Sequence, residues 1–234
     1  MQMQTNREKL YKISLILNVV MALIVVVLVL NKMGILTHQS FQQTEYSYRT
    51  NNHYDLRVTS FELNKRNTDV VFAGDSITEY GPFDEFFPDT KLINRGISGD
   101  ITAGLNARMG EILSHHPKKI FIMIGINDLS HNIPLENSMN NYKSIIEKIK
   151  TDAPNCEIYV ESVLPAVTID LNKVDQFNEY LKDLCAQENV NFIDLYDLYL
   201  EEGKINKVLF ADTCHLNGYG FQKLIVAIQE KVYK

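Results

Sequence analysis

Hydrophobic and polar positions divide the chain into three regimes. Residues 13–30, ISLILNVVMALIVVVLVL, are apolar but for Ser14 and Asn18, about the length a helix needs to span hydrocarbon. Residues 33–53 are polar, with no sustained apolar period, and read as a stalk. From residue 54 onward a short amphipathic stretch, 54–65, leads into apolar runs rich in β-branched residues that alternate with longer patterns of helical period. The runs at 69–73, 91–94, 120–124, 157–163 and 191–194 predict strands. The patterns at 103–114, 135–151, 173–187 and 219–232 predict helices, with Pro134 entering the second and Gly218 preceding the last. This alternation predicts an α/β fold: a three-layer α/β/α sandwich on a parallel sheet of about five strands, preceded by one transmembrane helix.

Charge orients that picture. Arg7, Lys9 and Lys12 precede the apolar segment and only Lys32 follows it closely. The excess of positive charge on the cytoplasmic side of membrane spans then predicts a cytoplasmic tail at 1–12, a signal-anchor helix at 13–32 and an extracytoplasmic domain at 54–234. A cleaved signal peptide shares the basic start and apolar core. Against it, VLVLNKMGILTHQS holds no small-x-small cleavage pattern, and no cysteine follows to carry a lipid. A formal charge of −6 and no Lys/Arg-rich run argue against nucleic acid as a partner. Cys156, Cys185 and Cys214 allow at most one internal disulfide, and their spacing matches no zinc pattern, so they read as small buried hydrophobes.

In a parallel sheet the loops leaving the carboxyl ends of the strands gather on one edge, where crevices form. Asp75-Ser76 follows the first expected strand, Arg95-Gly96 the second and Asn127-Asp128 the third, while Asp212 to His215 lies between the fifth and the last helix. Serine-based ester hydrolysis needs a nucleophile, a base, a group to orient the base, and donors for the oxyanion. Ser76, His215 and Asp212 fit the first three roles. The amides of Ser76 and Gly96 and the side chain of Asn127 fit the last, Gly96 because a missing Cβ lets substrate approach the backbone. The G-x-S-x-G elbow of α/β-hydrolases is absent, since Thr78 stands at its second glycine. Taken alone, Ser76 reads as a helix N-cap, and Asp75 and Asp128 read as braces of their turns.

The segments GDSIT (74–78), NRGISGD (94–100), IGIND (124–128) and DTCH (212–215) resemble, in order and separation, the four blocks of the SGNH or GDSL-type hydrolase family. They stand nearest the branch with the platelet-activating-factor acetylhydrolase catalytic subunits and many bacterial acylhydrolases. The resemblance runs from residue 68 to the C-terminus. It implies a flavodoxin-like SGNH hydrolase fold, no cofactor, and an esterase reaction through an acyl-serine, and it maps the name-giving residues to Ser76, Gly96, Asn127 and His215. Two departures leave the catalytic atoms in place: Ile77 replaces the signature leucine, and Cys214 sits inside the Asp-x-x-His loop, where it would sensitise activity to oxidation or thiol reagents.

Around these blocks, Tyr80, Phe83 and His131 are candidate pocket residues, Phe83 and its aromatic neighbours being equally suited to the core. His115 and His116 read as a solvated pair at a helix C-terminus. A metal site could recruit Asp75, Asp128, Asp212 and His215, but turn bracing explains the acids, and no metal is expected. The expected activity is removal of a short acyl group, acetyl first, from an alcohol, lipid or sugar ester. The alternatives are an O-acyltransferase acting on cell-surface glycans and a non-catalytic binding module on the same fold.

Overall fold

The computed structural model describes residues 14–15, 17–22, 24–26, 47–64 and 66–234, and the chain divides into two compact units, 1–45 and 46–234. In the first unit the described residues are helical, with Leu15, Leu17, Val19, Met21, Ile24 and Val25 all exposed. The span expected at 13–32 lies partly outside the described residues, as do the tail at 1–12 and most of the stalk. Among the described residues no helix is long and apolar enough to cross a membrane.

The second unit is built on a five-stranded, all-parallel sheet of order β2-β1-β3-β4-β5. Its strands are β1 (Val70–Gly74), β2 (Leu92–Gly96), β3 (Lys119–Met123), β4 (Glu157–Glu161) and β5 (Asn191–Ile193). Both β1 and β3 are buried along their whole length, which is why they read as continuous apolar runs rather than alternating ones. On one face Val71, Ala73, Ile120, Ile122 and Val160 pack against α4 (Thr102–Ala107), α5 (Met109–Leu113), α7 (Leu135–Asp152) and α8 (Leu171–Gln187). On the other, Val70, Phe72, Phe121 and Tyr159 pack beneath α3 (Phe83–Phe86) and α9 (Gly218–Tyr233). Two layers of helix thus enclose the sheet. An antiparallel hairpin of β6 (Leu200–Glu201) and β7 (Lys204–Ile205), which the hydropathy pattern does not reveal, follows β5.

Residues 47–53, expected in the stalk, belong to the folded domain. Asn51 caps α1 (Asn52–Glu62) by accepting from His53 N, and its side chain donates to Ser98 O at 2.8 Å. Tyr48 packs with Tyr54, Phe61 and Ile97 in a small third core. The polar composition of this stretch hides one aromatic anchor and one cap. The expected helix at 103–114 is in fact two, α4 and α5, broken at Arg108. Nor is His115 solvated: it is 1% exposed, with hydrogen bonds to Glu111 (2.7 Å), Arg95 (2.9 Å) and Arg66 O (2.7 Å). All three cysteines are free.

Candidate active site

The site forms where β1, β2 and β3 end. After Gly74 the chain turns into α2 (Ser76–Glu79), and the N-cap of that helix is Asp75, whose Oδ1 accepts from Ile77 N at 2.9 Å. The capping task falls to Asp75, and Ser76 becomes the first helical residue with its hydroxyl turned elsewhere. Asp75 is wholly buried, and burial pushes its carboxyl up to about 7.

Across the crevice, the loop before α9 brings His215 to Ser76, with Nε2 2.8 Å from Ser76 Oγ. Behind it, Asp212 Oδ2 lies 2.7 Å from His215 Nδ1. Asp212 Oδ1 meanwhile accepts from Cys214 N and His215 N, both at 2.8 Å. These two backbone donors, with the imidazole, hold the Asp212 carboxyl down at about 2. A carboxylate so held stays ionised beside a ring that gains and loses a proton. The aligned set can therefore move a proton from Ser76 to His215 and stabilise the resulting imidazolium.

Ser76, Asn127 and His215 open onto a cavity of about 220 Å³, whose walls also include Tyr80, Ser98, Gly99 and Ala166. Asn127 lies on α6 (Ile126–Ser130), a short helix hidden in the IGIND segment. One of its side-chain N–H bonds is spent on Asp100 O at 2.9 Å, which fixes the direction of the other. Gly99 has φ +76°, a conformation that glycine adopts freely. Tyr80 lies beside the His215 ring, 5.2 Å between centroids.

Three expected site residues stand elsewhere. Gly96 is buried and does not line the cavity: its N–H donates to Asn94 Oδ1 at 2.8 Å, and a Cβ there would meet Glu79 N at 2.1 Å. The close approach at Gly96 is made by α2, not by substrate. Gly99, three residues on in the same segment, lines the cavity instead. Phe83 is core, 3% exposed and stacked on Phe72 at 3.8 Å between centroids. His131 is exposed and does not line the cavity, although its neighbour Ser130 does.

Behind these groups stands a layer the motifs do not announce. Asp128 accepts from Thr102 N, Thr102 Oγ1 and Ser138 Oγ (2.6 to 3.0 Å), tying α6 to α4 and α7. Arg108, 4% exposed, donates to Asp100 Oδ2, Arg95 O and Gly74 O. It thereby joins the ends of β1 and β2 to the Gly99 turn. On the outer side, Ser98 donates its N–H and hydroxyl to Glu79 Oε2 (2.6 and 2.7 Å), while His53 and Arg57 of α1 close on the same carboxylate. Burial alone would raise Glu79, but hydrogen bonds from Ser98 and His53 outweigh it and hold the carboxyl below its usual range.

A family model described as the GDSL-like Lipase/Acylhydrolase family matches residues 72–223. No curated protein matches the chain. Among solved structures, a Streptococcus pneumonia protein named as a platelet activating factor is 26% identical with a TM-score of 0.71, covering 77% of this chain and 93% of that one. A GDSL-like lipase from Bacteroides thetaiotaomicron is 23% identical at a TM-score of 0.68, covering 77% of this chain and 97% of its own. The acetyl xylan esterase AlAXEase is 23% identical at 0.61, covering 70% and 99%. The last two share the fold.

Proposed function

The chain belongs to the GDSL-like lipase/acylhydrolase family and is a carboxylic ester hydrolase; from that premise we propose that it removes a short acyl group, acetyl first, from an alcohol or sugar hydroxyl through an acyl-serine on Ser76. The observation that carries this reading is the line of contacts Ser76 Oγ to His215 Nε2 to Asp212, at 2.8 and 2.7 Å.

In this mechanism His215 Nε2 takes the Ser76 proton as Oγ attacks the ester carbonyl, then returns it to the leaving alkoxide. Asp212 keeps the ring proton on Nδ1, so that Nε2 presents its lone pair to the nucleophile. The developing oxyanion is met by the amides of Ser76 and Gly99 and by Asn127 Nδ2. Such donors are worth most where they are fixed before the reaction, and the bonds of Asn127 to Asp100 and of Ser98 to Glu79 do that fixing. Water attacks the acyl-serine in the second half, with His215 again as base.

A cavity of about 220 Å³ supports a short acyl group, since pockets for larger ligands run to several hundred Å³. The hydroxyls of Ser98, Ser130, Thr168 and Tyr80 around it suit a polar leaving group. They would equally hold a sugar acceptor, the feature that favours acyl transfer as a second reading. Release of free acetate outrunning transfer to an added sugar separates the two. A pure binding module has no use for the aligned triad.

At the N-terminus, the apolar run at 13–30 supports a single-pass membrane anchor. Its basic flank supports a cytoplasmic tail with the hydrolase outside. Recovery of the protein in the medium with the residues before Gln39 missing would overturn the anchor.

The decisive test treats the 234-residue chain with a fluorophosphonate probe and a series of p-nitrophenyl esters. Labelling at Ser76 and faster turnover of acetate than of octanoate are expected. Folded protein that does not label overturns the mechanism, and a preference for octanoate overturns the acetyl assignment.

A further inference from the structure

The ring of Tyr80 has no part in the chemistry above, yet it is fixed beside it. Its backbone N–H donates to Ser76 O at 2.9 Å, its hydroxyl is hydrogen-bonded to Ser98 Oγ at 3.0 Å, and its ring lies 5.2 Å from that of His215, centroid to centroid. Although anchored at both ends, Tyr80 is 55% exposed. Among the described residues it is the only tyrosine or phenylalanine lining the cavity onto which Ser76 and His215 open.

That position decides which part of a substrate meets the ring. His215 Nε2 returns its proton to the leaving oxygen, so that oxygen must come within hydrogen-bond reach of the imidazole, and the group it carries then lies against the neighbouring ring. A cavity of about 220 Å³ takes the acyl group, which leaves the alcohol part to extend across the exposed face of Tyr80. An aromatic face is electron-rich and receives the polarised C–H groups of a partner, and a ring already immobilised loses little freedom on binding. A simple alkyl alcohol would use that face, but it would also cover the exposed hydroxyls of Ser130 and Thr168 in the same cavity wall without replacing their bonds to water. A quaternary ammonium group calls for a cage of several rings, and Tyr80 is a single one. A pyranose answers both features, with C–H bonds on its flat face and hydroxyls around its edge.

We propose that Tyr80 is a specificity-determining residue whose ring face is the platform for the sugar of an O-acylated pyranoside, the sugar being the alcohol part of the ester. That Tyr80 sorts substrates during turnover rests on the acyl-serine reading; that it binds a pyranose does not.

Two readouts test this, one of them independent of turnover. In the 234-residue chain carrying Ser76→Ala, which leaves the ester uncleaved, saturation-transfer NMR should pass magnetisation to the ring C–H protons of methyl O-acetyl-β-glucopyranoside, and adding Tyr80→Leu should abolish the transfer. With Ser76 in place, acetate release is compared for the same pyranoside and for ethyl acetate, since the ring of a p-nitrophenyl ester would itself stack. Tyr80→Leu should lower the ratio of the two kcat/KM values, pyranoside over ethyl acetate, by about tenfold or more, whereas Tyr80→Phe should stay near the native ratio. Equal losses on the two esters would show that Tyr80 only steadies His215. Absent transfer, or transfer that survives Tyr80→Leu, would show that the sugar does not rest on this ring. Either result overturns the platform. Transfer that depends on Tyr80, in a chain that neither releases acetate nor labels with fluorophosphonate, leaves the platform standing and removes the acyl-serine reading instead.

Discussion

Asp212 divides its two oxygens between two tasks: Oδ1 shapes its own loop by accepting two backbone amides, and Oδ2 holds the His215 ring. Asp212→Asn keeps an oxygen for the loop but turns an amide donor towards Nδ1, which favours the tautomer with the proton on Nε2. The expected result is a fall in kcat on the order of 10⁴-fold with little change in melting temperature, read from steady-state kinetics beside a thermal scan. The two glycines of NRGISGD separate along a different line. Gly96→Ala drives a Cβ against the backbone of Glu79 and should lose stability first, seen as a lower melting temperature or insoluble protein. Gly99→Ala must hold an alanine at φ +76°, at a cost of about 1–2 kcal/mol, and should stay folded while kcat falls. Sequence alone cannot choose between them. Both follow an apolar strand, and only the register, which carries β2 through Gly96 and leaves Gly99 on the turn, decides.

At the scale of elements, the break between α4 and α5 falls at Arg108. The 103–114 pattern is helical throughout, but Arg108 sits at φ −102°, ψ 9° and aims its guanidinium at Asp100 and the carbonyls of Arg95 and Gly74. No hydropathy period encodes a side chain reaching two strand ends, so the brace was invisible while the helix was not. Arg108→Met leaves Asp100 buried without its cation, and a loss of about 3–5 kcal/mol is expected by urea unfolding. Glu161, at the carboxyl end of β4, is an opposite case, a buried carboxyl with Oε1 unpartnered. Burial pushes it from an ordinary 4.5 up to about 8. Below 4.5 both folded and unfolded chains hold its proton. Between 4.5 and about 8 only the folded chain does, so its contribution to stability drains away as pH rises through that window. Glu161→Gln should therefore melt higher than the native chain at pH 8, with the gap closing towards pH 4.5. A gap that ignores pH would show that the carboxyl is not held neutral.

For the whole molecule, the five strands and the long helices were legible because a parallel sheet buried on both faces writes itself as apolar runs, and its cover helices as amphipathic ones. Ser76, Asn127, Asp212 and His215 were legible because strand ends gather on one edge, so chemistry-bearing residues after strands converge. Phe83 and the start of the domain were not, since an aromatic near a nucleophile can point either way and residues 47–53 have the composition of a linker. That last point reaches into practice. Asn51 bonds Ser98 O, His53 bonds Glu79 and Arg57 lies at ion-pair distance from the same carboxylate, so the first turn and a half of α1 steadies the strand-end turn that carries Gly99. A protease site or expression boundary placed at residue 54 would yield a domain with every motif intact and a slackened oxyanion pocket, and its low turnover would be mistaken for the wrong substrate.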